Sequence, residues 1–503
     1  MSFRRAIVFA LSAAVIGGCN SNGAQSPLSA LDAGGAHHRA SSSPIQHIVI
    51  IMQENRSFDN FFYMYPGANY ATQGMGHNGK VYPLMPINLG WAHDQNHYHW
   101  QFLEDYDKGK NDGWEDQIIQ PYLSGKGCND GNWFNEPHCW RFDPSQKDAV
   151  QPYTYVYQAQ IQPYWDMAKQ WVLGDKTFSS NNGPTFVSHQ YLVAGQSGHA
   201  SEVPNQMPWG CDKPSETENY IEFGSANPPA FPPKVGHEFV GPYPCFPLNT
   251  SGPSSTYNTI ASELDNAGVT WRYYVQPQSA GDSYWLNAFD AVKAIRNGPD
   301  WTNGDISLPD TNVLTDISSN QLQQVTWVMP HKGASDHPGG ASDNCGPNWV
   351  TSIVDAIGQS PYWNNTAIIV MWDEWGGWYD HVLPPQYPDP VTGAQEGLGY
   401  RIPLLIISPY AKHGYISHKQ HEIASTLHFI EQTFSLPPLG GGTGVQLADQ
   451  RADAFDDAFD FTKKPSAFKM ISPVDEPPVK GQPACPKTSK QFLAQKWGPE
   501  IDY

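Results

Sequence analysis

The sequence is short of positive charge. Its 503 residues contain 29 Lys and Arg against 49 Asp and Glu, which gives a formal net charge of −20 at pH 7. Because nucleic acids are bound largely through cationic side chains that contact phosphates, this deficit argues against a nucleic-acid-binding protein. Charged residues of both signs make up only 16% of the chain, too few for a disordered polyelectrolyte. The 39% of hydrophobic residues predict a large folded core.

Several familiar catalytic and nucleotide-binding motifs are also missing. Residues 195–199 read Gly-Gln-Ser-Gly-His, which lacks the spacing of the Gly-x-Ser-x-Gly nucleophile turn. The pair His421-Glu422 has Ser425 where a zinc-protease helix has its second histidine. The chain contains neither a Walker loop nor a Gly-x-Gly-x-x-Gly fingerprint. The sequence therefore does not support a serine hydrolase, a zinc protease or a nucleotide-binding fold.

The amino terminus resembles an export signal. Two arginines, Arg4 and Arg5, precede the apolar run Ala6–Ile16, which is too short for a stable membrane span. Cys19 follows two glycines, a pattern typical of a lipoprotein-type signal peptide over residues 1–19; an ordinary cleaved signal is the alternative. Residues 20–44 are rich in Ser, Ala and Gly and predict a flexible tether. We therefore expect an exported protein, located in the periplasm, on the outer membrane or at the cell surface.

The cysteine content agrees with export. With Cys19 set aside, six of the seven cysteines remain, an even number that suggests up to three disulfides in an oxidising compartment. Six cysteines allow 15 pairings. Proximity along the chain favours three of them: Cys128 with Cys139, Cys211 with Cys245, and Cys345 with Cys485.

The body of the chain, residues 45–503, reads as a single α/β domain. Five short runs rich in Val, Ile and Leu predict strands that are covered on both faces; they are Ile45–Met52, Val269–Val275, Gln324–Met329, Thr366–Trp372 and Pro403–Ser408. Helix-like segments lie between them, at Thr259–Ala267, Trp349–Ile357 and Ile423–Phe434. This alternation predicts a sandwich of helices around a sheet.

Acidic side chains follow two of these strands directly. Glu54 comes after the first strand, and Asp373 and Glu374 come after the fourth. Because ligands bind beyond the carboxyl ends of the strands in open α/β sheets, these carboxylates are expected to meet at one edge. Such a cluster is tolerable mainly when a cation lies within it or a proton is shared, and a metal is the simpler explanation. The alternative is a set of ordinary surface acids.

Histidines add to the predicted edge. His337 follows the third strand, and a second polar cluster contains Asp94 and His97. A single loop histidine is more often solvated than functional, so His337 gains importance only from its neighbours.

Five ordered motifs together resemble the bacterial phosphoesterase family, over about Pro44 to Phe434. They are Ile50–Asp59, the Asp94-x-x-His97 element with Gly109–Gly113, Asn182–Thr185, Ser335–Pro338 and Asp373–Val382. That family contains phosphatidylcholine-hydrolysing phospholipases C and exported acid phosphatases, and it belongs to the alkaline-phosphatase-like superfamily. The resemblance implies a three-layer α/β sandwich with a large, mostly parallel central sheet and long loops.

The resemblance also assigns roles to residues. It implies that a divalent metal ion of undetermined identity is held by four ligands, Glu54, Asn55, Asp373 and Glu374. It further implies that Thr185 is the nucleophile, forming a phospho-threonine intermediate. Two histidines, His97 and His337, would contact the phosphoryl group or the leaving oxygen.

Two departures from the family pattern bear on these assignments. Asn111 and Trp114 stand where Met and Phe are usual, which weakens the case for Asp112 as a functional residue. The Gly- and Pro-rich chain beyond Phe434 leaves no room for the extra carboxy-terminal domains of the large phospholipases C, which favours the acid-phosphatase branch. The substrate is then a phosphate ester, either a phospholipid or a small phosphomonoester, with membrane contact through the lipid anchor.

A function of another class competes with this interpretation. The 18 Trp and 25 Tyr could form stacking platforms for sugars on a surface-anchored glycan-binding protein without catalysis. The simpler explanation of these aromatics is that most of them fill a large core.

Overall fold

A computed structural model describes most of the chain that follows the predicted tether. The described ranges are 43–90, 94–116, 152–198, 257–277, 286–338, 345–387, 397–440, 446–475 and 484–495, with short pieces at 200, 203, 209–212, 217–218, 241–242 and 245. The predicted signal peptide with Cys19, and nearly all of the tether, lie outside these ranges and stay predictions. Within the described residues, no helix is both long and apolar enough to cross a bilayer.

Strands and helices alternate along the described chain. The strands are β1 (His47–Gln53), β2 (Gln73–Met75), β3 (Val81–Pro83), β4 (Met85–Ile87), β5 (Thr154–Val156), β6 (Val172–Gly174), β7 (Thr177–Phe178), β8 (Thr217–Glu218), β9 (Gly241–Pro242), β10 (Trp271–Tyr274), β11 (Ile306–Ser307), β12 (Val325–Val328), β13 (Thr366–Trp372), β14 (Leu404–Ile407), β15 (Tyr415–Ser417) and β16 (His421–Glu422). The helices are α1 (Phe58–Phe61), α2 (His99–Tyr106), α3 (Gln162–Gln170), α4 (Thr185–Ala194), α5 (Ile260–Ala267), α6 (Lys293–Arg296), α7 (Pro299–Asn303), α8 (Asn312–Ser318), α9 (Gly346–Gly358), α10 (Ser425–Phe434), α11 (Ala448–Arg451) and α12 (Ser489–Ala494).

Eight strands form the central sheet. Their order is β11-β10-β12-β1-β13-β14-β6-β15, and every neighbouring pair is parallel except the two that involve β14. All five predicted strands are present in this sheet, and the three predicted helices correspond to α5, α9 and α10. The mostly parallel α/β fold predicted from the sequence is confirmed.

The sheet is covered on both faces. All seven positions of β13 are buried, as are six of the seven in β1, so neither strand presents a solvated face. Two sets of helices supply the cover: α3 packs with α9, which also contacts α8 and α12, whereas α4 packs with α5 and α10. Apolar runs without alternation are what such doubly covered strands require, which is why they were recognisable in the sequence.

The aromatic residues fill the interior. Six Trp side chains are fully buried, namely Trp114, Trp327, Trp349, Trp372, Trp375 and Trp378. A separate aromatic cluster packs around Phe102, Trp375 and Tyr400. None of the described Trp or Tyr side chains is fully exposed to solvent. Packing therefore accounts for most of the described aromatic residues, as the simpler explanation expected.

Two of the three expected disulfides are present. Cys211 is bonded to Cys245, and Cys345 is bonded to Cys485, which joins the amino end of α9 to the carboxy-terminal segment. The third predicted pair, Cys128 with Cys139, lies outside the described residues.

Candidate active site

The two predicted acidic segments lie side by side, because each follows the carboxyl end of one of the neighbouring strands β1 and β13. The two strands pair in register up to Gln53 and Trp372, so Glu54 and Asp373 follow on neighbouring strands. The Asp373 N–H donates to the Gln53 carbonyl at 2.9 Å. In return, the Asn55 N–H donates to Oδ1 of Asp373 at 3.1 Å. The predicted convergence of these two strand ends is therefore seen in the structure.

The backbone at this junction is unusual. Asn55 has φ of +60°, a left-handed conformation that non-glycine residues seldom adopt. Gly376 lies against it with φ of +66°, and a Cβ atom on Gly376 would be 2.4 Å from the Asn55 carbonyl oxygen. Strained backbone of this kind tends to occur at functional sites, where the surroundings enforce it.

Thr185 is presented by the amino end of α4. It is the first residue of that helix, and Pro184 is the N-cap. The preceding loop is tied to β13 because the Ser179 hydroxyl donates to the Asp373 carbonyl at 3.0 Å. The Thr185 hydroxyl lies close to the Asp373 carboxyl group and favours the ionised form of that carboxyl. The predicted nucleophile therefore lies beside a predicted metal ligand, at the helix end that favours anions.

His97 reaches the same cluster from the loop before α2. Its Nδ1 lies 2.7 Å from the Gln95 carbonyl oxygen, which must accept a proton from the ring. In the neutral ring, Nε2 therefore carries the lone pair. It faces Nδ2 of Asn55 at 3.4 Å and Oε1 of Glu374 at 3.8 Å.

His337 lies at the more open side of the site. Its Nδ1 donates to the Pro338 carbonyl at 2.6 Å, and its Nε2 is 4.0 Å from Oδ2 of Asp94. The His337 side chain is 18% exposed, whereas Asp94 is buried. Asp94 thus lies between His337 and the buried cluster.

All seven predicted site residues belong to this region. Asn55 contacts Asp373 and His97, His97 contacts Glu374, and Asp373 contacts Thr185. Glu54 directly follows β1, and its negative charge helps to raise the pKa of Glu374. The structure places these residues together, while the roles assigned to them remain predictions.

Two further residues of the site were not predicted. Asp94 lies between His97, at 3.8 Å, and His337, at 4.0 Å. His189 lies on α4, with its Nε2 3.8 Å from Oδ2 of Asp373. The four-residue spacing from Thr185 to His189 places both on one face of a helix, but this helix was not predicted from the sequence. Asp94 was named in the sequence as part of a polar cluster and of the Asp94-x-x-His97 motif, without a role of its own.

Burial dominates the electrostatics of the site. It raises the pKa of Asp373 to about 7, and it raises those of Asp94 and Glu374 well above the usual range for carboxyl groups. The charge of Asp373 further raises the pKa of Glu374. Burial also lowers the pKa of His97 to about 4, so its imidazole is neutral and cannot offset the carboxylates. The charge of Arg56 favours the ionised form of Asp94, but the neutral His97 does not offset the charges of Asp373 and Glu374.

The predicted metal ligands fit a divalent cation. One oxygen of each carboxylate is held by backbone: Oδ1 of Asp373 accepts from the Glu374 N–H at 2.9 Å, and Oε2 of Glu374 accepts from the Gly376 N–H at 2.6 Å. The other oxygens, Oδ2 of Asp373 and Oε1 of Glu374, are buried without a well-aligned hydrogen-bond partner within the described ranges, as is Oδ1 of Asn55. Buried oxygens left in this state are costly unless a cation satisfies them.

Elsewhere in the described part of the chain, three groups of acidic residues and histidines have donor atoms within 4.8 Å of one another. They are Asp59 with Asp380 and His381, His77 with Asp107 and Asp112, and His421 with Asp453 and Asp457. An Arg or Lys side chain already pairs with a carboxylate of each of these groups. Arg401 bonds Asp380 at 2.7 Å, Lys110 bonds Asp107, and Lys419 pairs with Asp453 at 3.2 Å. These groups are explained as ion-pair networks.

The chain is similar in sequence to several known phospholipases C. The chain is 24% identical to a non-hemolytic phospholipase C of Pseudomonas aeruginosa over 80% of this chain and 56% of that protein. It is 26% identical to phospholipase C A of Mycobacterium tuberculosis, covering 78% of this chain and 73% of that protein. It is also 32% identical to non-specific phospholipase C6 of Arabidopsis thaliana, covering 74% and 63%. The chain thus spans little more than half the length of its Pseudomonas relative.

A solved structure of a protein in the alkaline phosphatase superfamily, from Vibrio parahaemolyticus, aligns with a TM-score of 0.35 at 9% identity, covering 82% of this chain and 71% of that one. The fold assignment rests on the sheet itself. The model of the Phosphoesterase family matches residues 45–437, which include every residue of the site described above. The chain belongs to the Phosphoesterase family.

Proposed function

We propose that the protein hydrolyses phosphoric esters at the site formed by β1, β13 and α4, with Thr185 as the nucleophile. The observation that carries this proposal is the position of Thr185, at a helix amino end beside the buried Asp373 carboxyl group. Family membership supports the reaction class. The names of the relatives, which are phospholipases C, support a phosphate-ester substrate. Both phospholipids and small phosphomonoesters fit this chemistry.

The residues that would hold a divalent cation are Glu54, Asn55, Asp373 and Glu374. Such a cation, when bound, would supply Lewis-acid chemistry, lowering the pKa of a hydroxyl and neutralising phosphoryl oxygens. This contribution matters in a protein of net charge −20, whose own field repels an anionic substrate. The amino end of α4 adds partial positive charge for the equatorial oxygens of the phosphoryl group.

Thr185 would attack phosphorus, and a histidine would supply the proton for the leaving group. The Thr185 oxygen forms its bond to phosphorus as its proton is released to water. The bond between phosphorus and the leaving oxygen breaks in line with this attack, and His337, at the open side of the site, protonates the departing oxygen. His97, whose ring is oriented by the Gln95 carbonyl, accepts from the side-chain amide of Asn55 and holds that residue in place. Water then forms a bond to phosphorus as the bond between phosphorus and the Thr185 oxygen breaks. His337, now neutral, accepts a proton from that water, and the Thr185 oxygen regains a proton from solvent.

Replacement of Thr185 tests the proposal. Thr185→Ala should lower kcat/KM for an aryl phosphate and for phosphatidylcholine by about a thousandfold, equivalent to about 4 kcal/mol of transition-state stabilisation. Thr185→Ser keeps a hydroxyl and should retain most of the activity. Phosphate, phosphocholine and diacylglycerol should be measured separately, since their proportions identify the bond that is cleaved.

The matched control is Thr351→Ala. Thr351 is also a buried helical threonine, but its hydroxyl donates to the Pro347 carbonyl on α9, on the other set of helices. That variant should hydrolyse substrate at nearly the wild-type rate. A Thr185→Ala protein that remained as active as the Thr351→Ala protein on both substrates would refute the nucleophile.

A further inference from the structure

His189 occupies a position in the site that the proposed mechanism does not use. It lies on α4 one turn after Thr185, so both side chains project from the same face of that helix. The histidine is 1% exposed, and Asp373, the residue it faces, is fully buried. Helix α4 therefore presents two side chains, not one, to the carboxylate at the end of β13.

The orientation of the His189 ring is defined by its other nitrogen. Nδ1 lies 3.1 Å from the Leu286 carbonyl oxygen, which can only accept a proton. Nδ1 therefore carries the hydrogen, and in the neutral ring the lone pair is on Nε2. A hydrogen bond to a backbone carbonyl that orients the ring in this way commonly accompanies metal-ligating histidines.

The unprotonated nitrogen of the His189 ring faces an oxygen atom that also carries lone pairs. Nε2 of His189 lies 3.8 Å from Oδ2 of Asp373, which is too far for a hydrogen bond. Neither atom has a hydrogen-bond partner elsewhere in the described part of the chain. A nitrogen lone pair that faces a carboxylate oxygen inside a protein is unfavourable unless a positive charge lies between them.

We propose that Nε2 of His189 is a ligand of the same cation as Asp373, so that the site combines one nitrogen donor with its oxygen donors. This inference rests on the proposed function for the presence of a cation. Nitrogen and oxygen ligands each lie about 2.0–2.2 Å from an ion such as Zn²⁺, so one ion can span two donor atoms that are 3.8 Å apart.

A nitrogen donor changes which ions the site prefers. Ca²⁺ and Mg²⁺ favour sites made only of oxygens, whereas imidazole suits transition metals such as Zn²⁺. The wild-type protein should therefore bind Zn²⁺ more tightly than Ca²⁺. Loss of the nitrogen should weaken Zn²⁺ binding about tenfold or more while changing Ca²⁺ binding little.

The test is metal binding by His189→Asn. Asparagine keeps an N–H close to the position of Nδ1, so it can still donate to Leu286, but it removes Nε2. Binding of Zn²⁺ and Ca²⁺ to the metal-free protein is measured by calorimetry. Pulsed EPR of the Mn²⁺-loaded protein then detects ¹⁴N coupling from a bound imidazole. We expect that coupling in the wild type, and its loss or reduction in the variant.

The control is His428→Asn on α10, because Nδ1 of His428 likewise donates to a backbone carbonyl, that of Ala452. It should leave both metal affinities and the ¹⁴N coupling unchanged. If His189→Asn does not fold, His189→Gln also removes the imidazole, and the loss of the ¹⁴N coupling is then the readout. An unaltered ¹⁴N signal in the His189 variant, or a signal that disappears only in His97→Asn, would overturn the assignment. Because neither readout needs turnover, a wild-type protein that shows the coupling but hydrolyses no ester would contradict the proposed function alone.

Discussion

Gly376 shows how a single residue shapes the site. It follows Glu374 by two positions, and its N–H holds one oxygen of that carboxylate at 2.6 Å. Its φ of +66° suits glycine, and its lack of a side chain lets the Asn55 backbone approach. Asn55 can adopt its own left-handed conformation only because of this space. The geometry of two predicted metal ligands thus depends on a residue that contributes no functional group.

Replacement of Gly376 by alanine should therefore damage both stability and activity. Gly268 is a matched control, since it also has φ of +66° but has no atom within 4 Å of the position of a new Cβ. Gly268→Ala should cost about 1–2 kcal/mol of unfolding free energy, for its backbone conformation alone. Gly376→Ala should cost about 1–3 kcal/mol more because of the clash with Asn55, and a shift of the ligands should lower kcat/KM about a hundredfold. Denaturant unfolding and a phosphatase assay measure the two effects. Equal losses in the two variants would show that the contact is unimportant.

Helix α10 packs against α4 and contributes one member of a second pair of buried acids. Glu431 on α10 and Asp449 on α11 both accept from the Leu439 N–H, at 3.2 and 3.0 Å. Burial, together with the charge of Asp449, raises the pKa of Glu431 to about 9. At neutral pH, Glu431 is therefore protonated and donates to the Asp449 carboxylate. The pair links the two helices while it holds this proton.

The shared proton makes stability depend on pH. Glu431 keeps its proton up to about pH 9 in the folded protein, whereas in the unfolded chain it loses the proton above its ordinary pKa of 4.5. The folded state binds more protons in that interval, so stability falls as the pH rises from about 5 to 9. Glu431→Gln imitates the protonated form at every pH. We expect the variant to become increasingly more stable than the wild type over this range, as measured by urea unfolding at several pH values. Parallel curves for the two proteins would exclude the shared proton.

The whole molecule carries a formal charge of −20, and several of its carboxyl groups are buried in the site. A bound divalent cation would stabilise the folded state, because it binds little to the unfolded chain. An ion at a hundred times its Kd contributes about 2.7 kcal/mol. The same cation would reduce repulsion of the anionic substrate. Stability and activity should therefore respond together to the metal.

Removal of metal by a strong chelator should lower the Tm and abolish hydrolysis, and added divalent ions should restore both. Glu374→Gln weakens the proposed ligand set and should lose most of the chelator-dependent change in Tm. Differential scanning calorimetry in parallel with the phosphatase assay provides the comparison. Full turnover by a metal-stripped preparation would contradict a role for the ion in catalysis.

The parts of the site that sequence could predict are those attached to strand ends. Glu54, Asp373 and Glu374 follow apolar runs, and parallel strands bring their carboxyl ends to one edge of a sheet. The positions of Thr185, His97 and His337 were carried over from motifs of the family. Helix α4 itself was not predicted, because its ten residues are all buried and show no amphipathic stripe.

The sequence by itself determined the α/β architecture, the family and the acidic strand ends, because apolar runs and short motifs are local properties of the chain. Only the tertiary structure decided that His189 and Asp94 join the site and that the other three acidic groups are paired with Arg or Lys. These contacts connect residues far apart in sequence, such as His189 with Asp373 and Asp94 with His337. The burial that raises the pKa values of the carboxyl groups likewise depends on how the whole chain packs.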